Sequence, residues 1–380
     1  MSETSTVRVA QLVARRHDAV ASGPGPGPGP GPGHIGDGSV APPNVASSDT
    51  DTSPDLYRAV PCFALRVAGL GAAVPERRVS NDDLAQRLDT SDEWIVARTG
   101  IRARRVAGAG ESTVALASEA GRRAIAAAGL DAARVDLVLV ATSTPDSACP
   151  STAARVAAEL GLRASGYDVN GACTGFVHAF HAAAALLADP SISVALVIGA
   201  ERYTSIIDPD DRGTAILFGD GAGAAVITRD PADVGAPGAP GVLATDMGGD
   251  TTGVGVIEVP PGERYLTMDG PELFRRATRG LVASAIAALG RAGATAADVD
   301  LYVPHQANAR IVTAAAGRLA IPDDKVVFDM AERANTSAAS IPLALEAAER
   351  SGALRPGMRV LVSGIGAGLS WSTLFLKWDR

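Results

Sequence analysis

Downstream of residue 62, apolar residues fall into two kinds of run. VDLVLVATS (135–143), VALVIGA (194–200), AGAAVI (222–227) and MRVLVSG (358–364) are nearly unbroken. Short runs without polar alternation predict strands covered on both faces, as in a parallel sheet. FALRVAGLG (63–71) predicts a strand that runs into a tight turn at its glycines. Between the strands the spacing becomes helical. Ser112 or Thr113 is placed to cap a helix running to Gly129, where the lack of a Cβ suits a stop. TGFVHAFHAAAALLA (174–188) is apolar on nearly every face and predicts a helix inside the molecule, ended by Pro190. Strands alternating with helices predict an α/β fold.

A weak repeat adds to this. AGLDAARVDLVLV (128–140) and AGATAADVDLYVP (292–304) match at about half their positions, and each predicts a helix end, a loop and a buried strand. Two α/β halves follow, 63–235 and 236–380, divided near the Pro/Gly cluster at 230–242. A duplicated fold is expected to hold its site where the halves meet. Residues 1–62 differ in kind. Gly and Pro alternate strictly from Gly23 to Gly33, whereas collagen needs Gly at every third position. The segment has too little apolar surface to offset its ordering entropy and is expected to be a disordered tail.

Composition narrows the function. The 380 residues are 47% hydrophobic and 20% charged, with a net charge of −8, which argues against general nucleic-acid binding. No apolar run is long enough to span a bilayer, and the N-terminus lacks the basic-then-apolar order of a signal peptide. Cys62, Cys149 and Cys173 lie far apart, which disfavours a disulfide framework or a zinc site and leads to the expectation of a reducing, cytoplasmic setting. Neither GLGAAVPERR (69–78) nor GDGAGAA (219–225) has dinucleotide-loop spacing, and the chain shows no metal-ligand cluster, so no metal or redox cofactor is expected.

Three residues could carry chemistry. Cys173, in DVNGACTGF, sits where a strand turns through small residues into the buried helix, and a helix N-terminus favours thiolate over thiol. His305, in VPHQAN, follows the second repeated strand at its C-terminal end, where α/β sheets place their sites. Asn335, in ERANTSAASI, is expected in the loop before a helix capped by Thr336 or Ser337. The glycine-rich SGIGAGLSW (363–371) could turn backbone N–H groups towards an oxyanion. His178 and His181, on the apolar helix, read as structural. Cys, His and Asn in that order fit a cysteine hydrolase as well as a condensing enzyme. The mid-chain GACTGF setting, with no papain-like cysteine context, favours the second.

Five segments carry a family resemblance: DTSDEWIVARTGIRARR (89–105), DVNGACTGF (168–176), DRGTAILFGDGAGAAVI (211–227), VPHQANARI (303–311) and NTSAASIPLAL (335–345). In order and content they resemble β-ketoacyl-ACP synthase III, over about Arg66 to Arg380. The resemblance implies a thiolase fold: duplicated βαβαβαββ halves in five α-β-α-β-α layers, normally a homodimer. It implies that Cys173 takes an acyl group from acyl-CoA, and that His305 and Asn335 bind the malonyl-ACP thioester and stabilise the enolate formed as carbon dioxide leaves. The backbone N–H groups of Cys173 and Ala367 would form the oxyanion hole. Trp94, Arg98 and Arg212 would bind coenzyme A, Cys149 and Leu217 would line the primer pocket, and Arg275, Arg310 and Arg318 would dock the acyl carrier protein. Cys149 replaces a bulky aromatic that reaches the pocket across the dimer, which should enlarge it. Ile365, Ala367, Leu369 and Ser372 alter the C-terminal loop, and Pro271 replaces a polar contact to pantetheine. The alternative within the family is a non-decarboxylating acyltransferase of a natural-product pathway.

Overall fold

The structure, a computed structural model, describes residues 62–380. The expected tail, apart from Cys62, lies outside the described residues. The first half runs β1 (Arg66–Ala73), α1 (Thr113–Ala128), β2 (Leu137–Ala141), α2 (Thr152–Glu159), β3 (Ser165–Val169), α3 (Gly175–Leu186), β4 (Val194–Arg202) and β5 (Asp220–Thr228). The second repeats the plan with β6 (Gly241–Gly249), α4 (Gly270–Arg291), β7 (Leu301–Pro304), α5 (Ala309–Leu319), α6 (Ser340–Arg350), β8 (Arg359–Gly366) and β9 (Ser370–Lys377). Where the third strand of this half would stand, a single parallel bridge joins Tyr302 to Val326.

The sheets have matching orders. The first is β1-β5-β4-β2-β3, and β6-β9-β8-β7 makes up the second. Phe63–Ala64 pairs antiparallel with Val242 and Gly241 of β6, so the described residues start on the second sheet before crossing to the first.

Alternate residues of each strand face opposite layers. Leu137 and Leu139 of β2, Leu301 and Val303 of β7 and Val360 and Val362 of β8 join one core with Phe176, Phe180, Ile341 and Leu345 of α3 and α6. Val138 and Val140 face the other way, onto α1 and α2. Tyr302, Leu361 and Phe375 face α4 and α5. The result is five layers, α-β-α-β-α, as the resemblance implies. Strands buried on both faces explain the unbroken apolar runs.

The caps of α1 are as expected: the Ser112 side chain accepts from Ala115 N, and Gly129 closes the helix at φ 64°. The glycines of FALRVAGLG behave differently from expectation. They form no turn, because β1 continues through them to Ala73. A Cβ on Gly69 or Gly71 would collide with the carbonyls of Ala124 and Ala120 on α1. These glycines therefore let a helix lie directly on a strand. The apolar segment after Cys173 is buried as expected, with α3 beginning at Gly175 after a 3₁₀ turn at Ala172–Thr174.

Candidate active site

The turn that carries Cys173 is strained and well held. Ala172 has φ 46°, in the left-handed region that side chains rarely adopt. The Thr174 hydroxyl donates to Ser370 O at 2.9 Å, tying the turn to β9. The same turn is built a second time before α6, where Ser337 has φ 49° and a 3₁₀ turn covers Ser337–Ala339. Thr336 and Ser337 do not cap that helix through their side chains. Instead the Asn335 side-chain oxygen accepts from Ser337 N at 2.8 Å. Asn335 N donates to Leu217 O at 2.9 Å, and Gly219 N donates to Asn335 O at 3.0 Å, so the asparagine is locked from both sides. With its oxygen engaged, its amide N–H₂ remains to act as donor.

His305 stands just past the end of β7, with its backbone N–H on Ser363 O at 2.8 Å. Its Nδ1 lies 2.6 Å from Ser340 Oγ, and the Gln306 N–H also donates to that oxygen, at 3.4 Å. When the Ser340 hydroxyl gives its hydrogen to Nδ1, Nε2 carries the ring proton. Burial pushes the imidazole down to about 3, so it is neutral at any working pH.

Cys173, His305 and Asn335 line one cavity of about 510 Å³, and all three are buried. Leu217, Gly366 and Ala367 line it too. Gly366 packs so closely on the Cys173 turn that a methyl group there would stand 2.9 Å from Cys173 N. The glycine-rich segment forms a hairpin between β8 and β9 and lays its backbone against the turn that carries the thiol. One expectation is overturned. Burial pushes the Cys173 thiol up to about 12, so in the resting cavity desolvation outweighs the helix N-terminus and the group is a thiol.

Towards the cavity mouth lie Arg98 and Arg310. The Arg98 guanidinium sits 4.0 Å from the Trp94 ring centroid and that of Arg212 sits 5.0 Å from it. A base stacked between Trp94 and Arg212 needs about 7 Å, two contact distances of ~3.5 Å, so Arg212 must swing aside to admit one. It is held by Asp89 O at 2.7 Å, an exposed contact. Pro271 also lines the cavity, near the start of α4. Arg275 is exposed on α4, while Arg310 and Arg318 are exposed on α5. Arg310 lies 5.9 Å from the Phe274 ring, and Arg275 is paired with Glu272. Cys149 is exposed and does not line the cavity of its own chain. His178 and His181 stay outside the cavity, and His181 packs edge-on against Phe63 at 5.6 Å.

Sequence reasoning missed Ser340 and a second buried group near the thiol, Glu201. For Ser340 the chain carried no signal. For Glu201 it did: one acidic residue ends the apolar run VALVIGAE.

Known proteins agree with this architecture. The family described as 3-oxoacyl-[acyl-carrier-protein (ACP)] synthase III matches residues 167–250, and its C-terminal counterpart matches residues 289–378. The chain is 47% identical over 314 residues to β-ketoacyl-[acyl-carrier-protein] synthase III 2 of Streptomyces coelicolor, covering 82% of this chain and 93% of that one. It is 44% identical over 323 residues to β-ketoacyl-[acyl-carrier-protein] synthase III of Neisseria meningitidis, covering 82% and 99%. Among solved structures, the Pseudomonas aeruginosa 3-oxoacyl-(acyl carrier protein) synthase III superposes with a TM-score of 0.79 at 43% identity, covering 83% and 99%. The priming β-ketosynthase of a polyketide biosynthetic pathway gives 0.78 at 39%, covering 84% and 98%. With its five-layer thiolase fold and this similarity along most of its length, the chain belongs to the β-ketoacyl-[acyl-carrier-protein] synthase III family.

Proposed function

We propose that the protein condenses an acyl-CoA starter with malonyl-ACP, by decarboxylation, to a β-ketoacyl-ACP. The observation that carries this reading is the single cavity on which a thiol, a neutral imidazole and a carboxamide converge. Cys173 takes the acyl group, and its carbonyl oxygen rests against the backbone N–H groups of Cys173 and Ala367. Coenzyme A leaves, and malonyl-ACP enters the same tunnel. His305 Nε2–H and the Asn335 amide donate to the thioester oxygen as carbon dioxide departs. A cationic imidazole would give its proton to the new carbanion and quench it; burial avoids this by holding His305 neutral. The carbanion then attacks the acyl-Cys173 carbonyl.

Trp94, Arg98 and Arg212 hold the nucleotide end of coenzyme A. Arg275, Arg310 and Arg318 meet the acidic carrier protein, a role supported by their exposure on the outer helices beside the cavity mouth. The protein acts as a homodimer in which Cys149 of each chain reaches the partner's primer pocket, closed on the near side by Leu217. Supporting this are the exposure of Cys149 and the edge position of β3, which bears the exposed Tyr167. Among the described residues no helix is long and apolar enough to cross a membrane. We place the reaction in the cytoplasm, where the free thiol of Cys173 stays reduced.

The test uses radiolabelled acyl-CoA. Label should stay on the protein and vanish in Cys173→Ala, and malonyl-ACP should then release carbon dioxide and a β-ketoacyl product. Label without carbon dioxide would instead identify a non-condensing acyltransferase, and amide turnover a hydrolase.

A further inference from the structure

Near the thiol lies an ionisable group that the reaction above does not use. Glu201 is the penultimate residue of β4 and is fully buried. Its carboxylate accepts from Thr144 Oγ1 at 2.6 Å, from Ser143 N at 3.1 Å and from Ser337 Oγ at 3.1 Å. Every one of these donors is neutral, and no arginine or lysine pairs with it among the described residues. The same Ser337 hydroxyl also bears on the Cys173 thiol, whose ionised form it favours. Ser337 is also the residue at φ 49° whose N–H holds Asn335. One strained serine therefore joins the nucleophile, the buried carboxylate and the amide donor.

We propose that Glu201 is a positioning residue for acylation, which exchanges a proton with Cys173 through the Ser337 hydroxyl. This rests on the reading of Cys173 as the acyl acceptor. With Glu201 ionised, the Ser337 O–H points at the carboxylate and its oxygen accepts the thiol S–H. As acyl-CoA arrives, the proton on Sγ passes to Ser337 Oγ while the Ser337 proton passes to Glu201 Oε1. The negative charge moves from carboxylate to sulfur, and the Ser337 O–H now donates to the thiolate. Sulfur attacks the thioester carbonyl and the C–S bond to coenzyme A breaks. The departing thiolate recovers one proton by the reverse path, so coenzyme A leaves as a thiol and Glu201 is ionised again.

His305 cannot take this proton, because burial holds its imidazole far below neutrality. Burial has the opposite effect on the carboxyl, pushing Glu201 up to about 7, where it gains and loses a proton readily. The titratable groups facing this network are the Cys173 thiol and the Tyr203 phenol, which lies against the same Ser337 hydroxyl. The remaining contacts are the hydroxyls and N–H groups after β2 and before α6.

The test is the rate at which iodoacetamide alkylates Cys173 in the full chain, read by mass spectrometry of its peptide from pH 5.5 to 9. The exposed Cys62 and Cys149 serve as internal standards. In Glu201→Gln and in Ser337→Ala the rate should fall at least tenfold at pH 7.5 and lose its inflection near neutrality. Glu201→Asp should keep an inflection. Rates within twofold of wild type would overturn the proposal. So would a faster reaction in Glu201→Gln, which would mean that the carboxylate acts only by repelling the thiolate. Ser337→Ala keeps Glu201 and its other donors in place, so it carries the test if the glutamine variant does not fold. Acyl label that persists in Cys173→Ala would refute the acyl-acceptor reading instead, and alkylation of Cys173 would still report the relay.

Discussion

Gly366→Ala offers a direct test of the backbone wall beside the thiol. Its φ and ψ, −138° and −179°, are extended and suit alanine, so no conformational penalty applies. The penalty is steric. The new methyl would stand 2.9 Å from Cys173 N, 2.9 Å from Gly171 O and 3.0 Å from Thr174 N, all backbone atoms of the strained turn. Normal contact is about 3.5 Å, so the loop carrying Ala367 must back away by roughly 0.5 Å. Overpacking of this kind costs about 1–3 kcal/mol of stability. The kinetic effect should be larger, because the shift separates the two N–H groups assigned to the oxyanion. Losing one such donor costs about 10²–10³ in rate, so acylation should slow by roughly 10- to 1000-fold. Gly368→Ala is the control. It meets nothing within 4 Å and carries only the burden of φ 73°, roughly 1–2 kcal/mol. Single-turnover transfer from radiolabelled acyl-CoA, with thermal melts of both variants, separates the two effects. If Gly366→Ala acylates within twofold of wild type, or Gly368→Ala is equally slow, the backbone wall is not the oxyanion site.

Other outcomes follow from the same geometry. His305→Ala and Asn335→Ala should still become acylated but release no carbon dioxide from malonyl-ACP; normal condensation in both would remove their assigned role. Trp94→Ala should raise KM for acyl-CoA by about 5- to 150-fold, by losing about 1–3 kcal/mol of base stacking, with kcat nearly unchanged. Cys149→Phe should narrow starter choice towards short acyl groups, and an unchanged acyl-CoA profile would count against a Cys149-lined pocket. His305 also sets a pH effect on stability. Its folded value, about 3, lies below the ordinary value, so the unfolded chain binds the extra proton. Its contribution is whole above about pH 6.5 and is lost on acidification at up to about 1.4 kcal/mol per pH unit. Urea melts should therefore show His305→Gln losing less stability than wild type between pH 7 and pH 5, and equal losses would refute the neutral assignment.

Local physics was legible in the chain. Strands covered on both faces must be apolar throughout, which is why VDLVLVATS and VALVIGA could be read directly. Ser112 and Gly129 marked the ends of α1 because capping acts within one turn. Cys173, His305 and Asn335 were visible because each interrupts such a pattern at a strand end or turn. What the chain could not reveal depends on approach between segments far apart in sequence. The glycines of β1 looked like a turn, and only the carbonyls of α1 explain them. Cys173 looked like a thiolate because helix N-termini are local, whereas the burial that pushes its thiol up comes from segments far apart in sequence that close around it. The hydroxyl that meets the His305 ring belongs to Ser340, 35 residues away, and the contact between Ser337 and Glu201 spans 136. Hydrophobic periodicity and capping are properties of neighbours along the chain; burial, proton position and the convergence of one thiol, one imidazole and one amide on a cavity are properties of neighbours in space, which only the packing of the two halves decides.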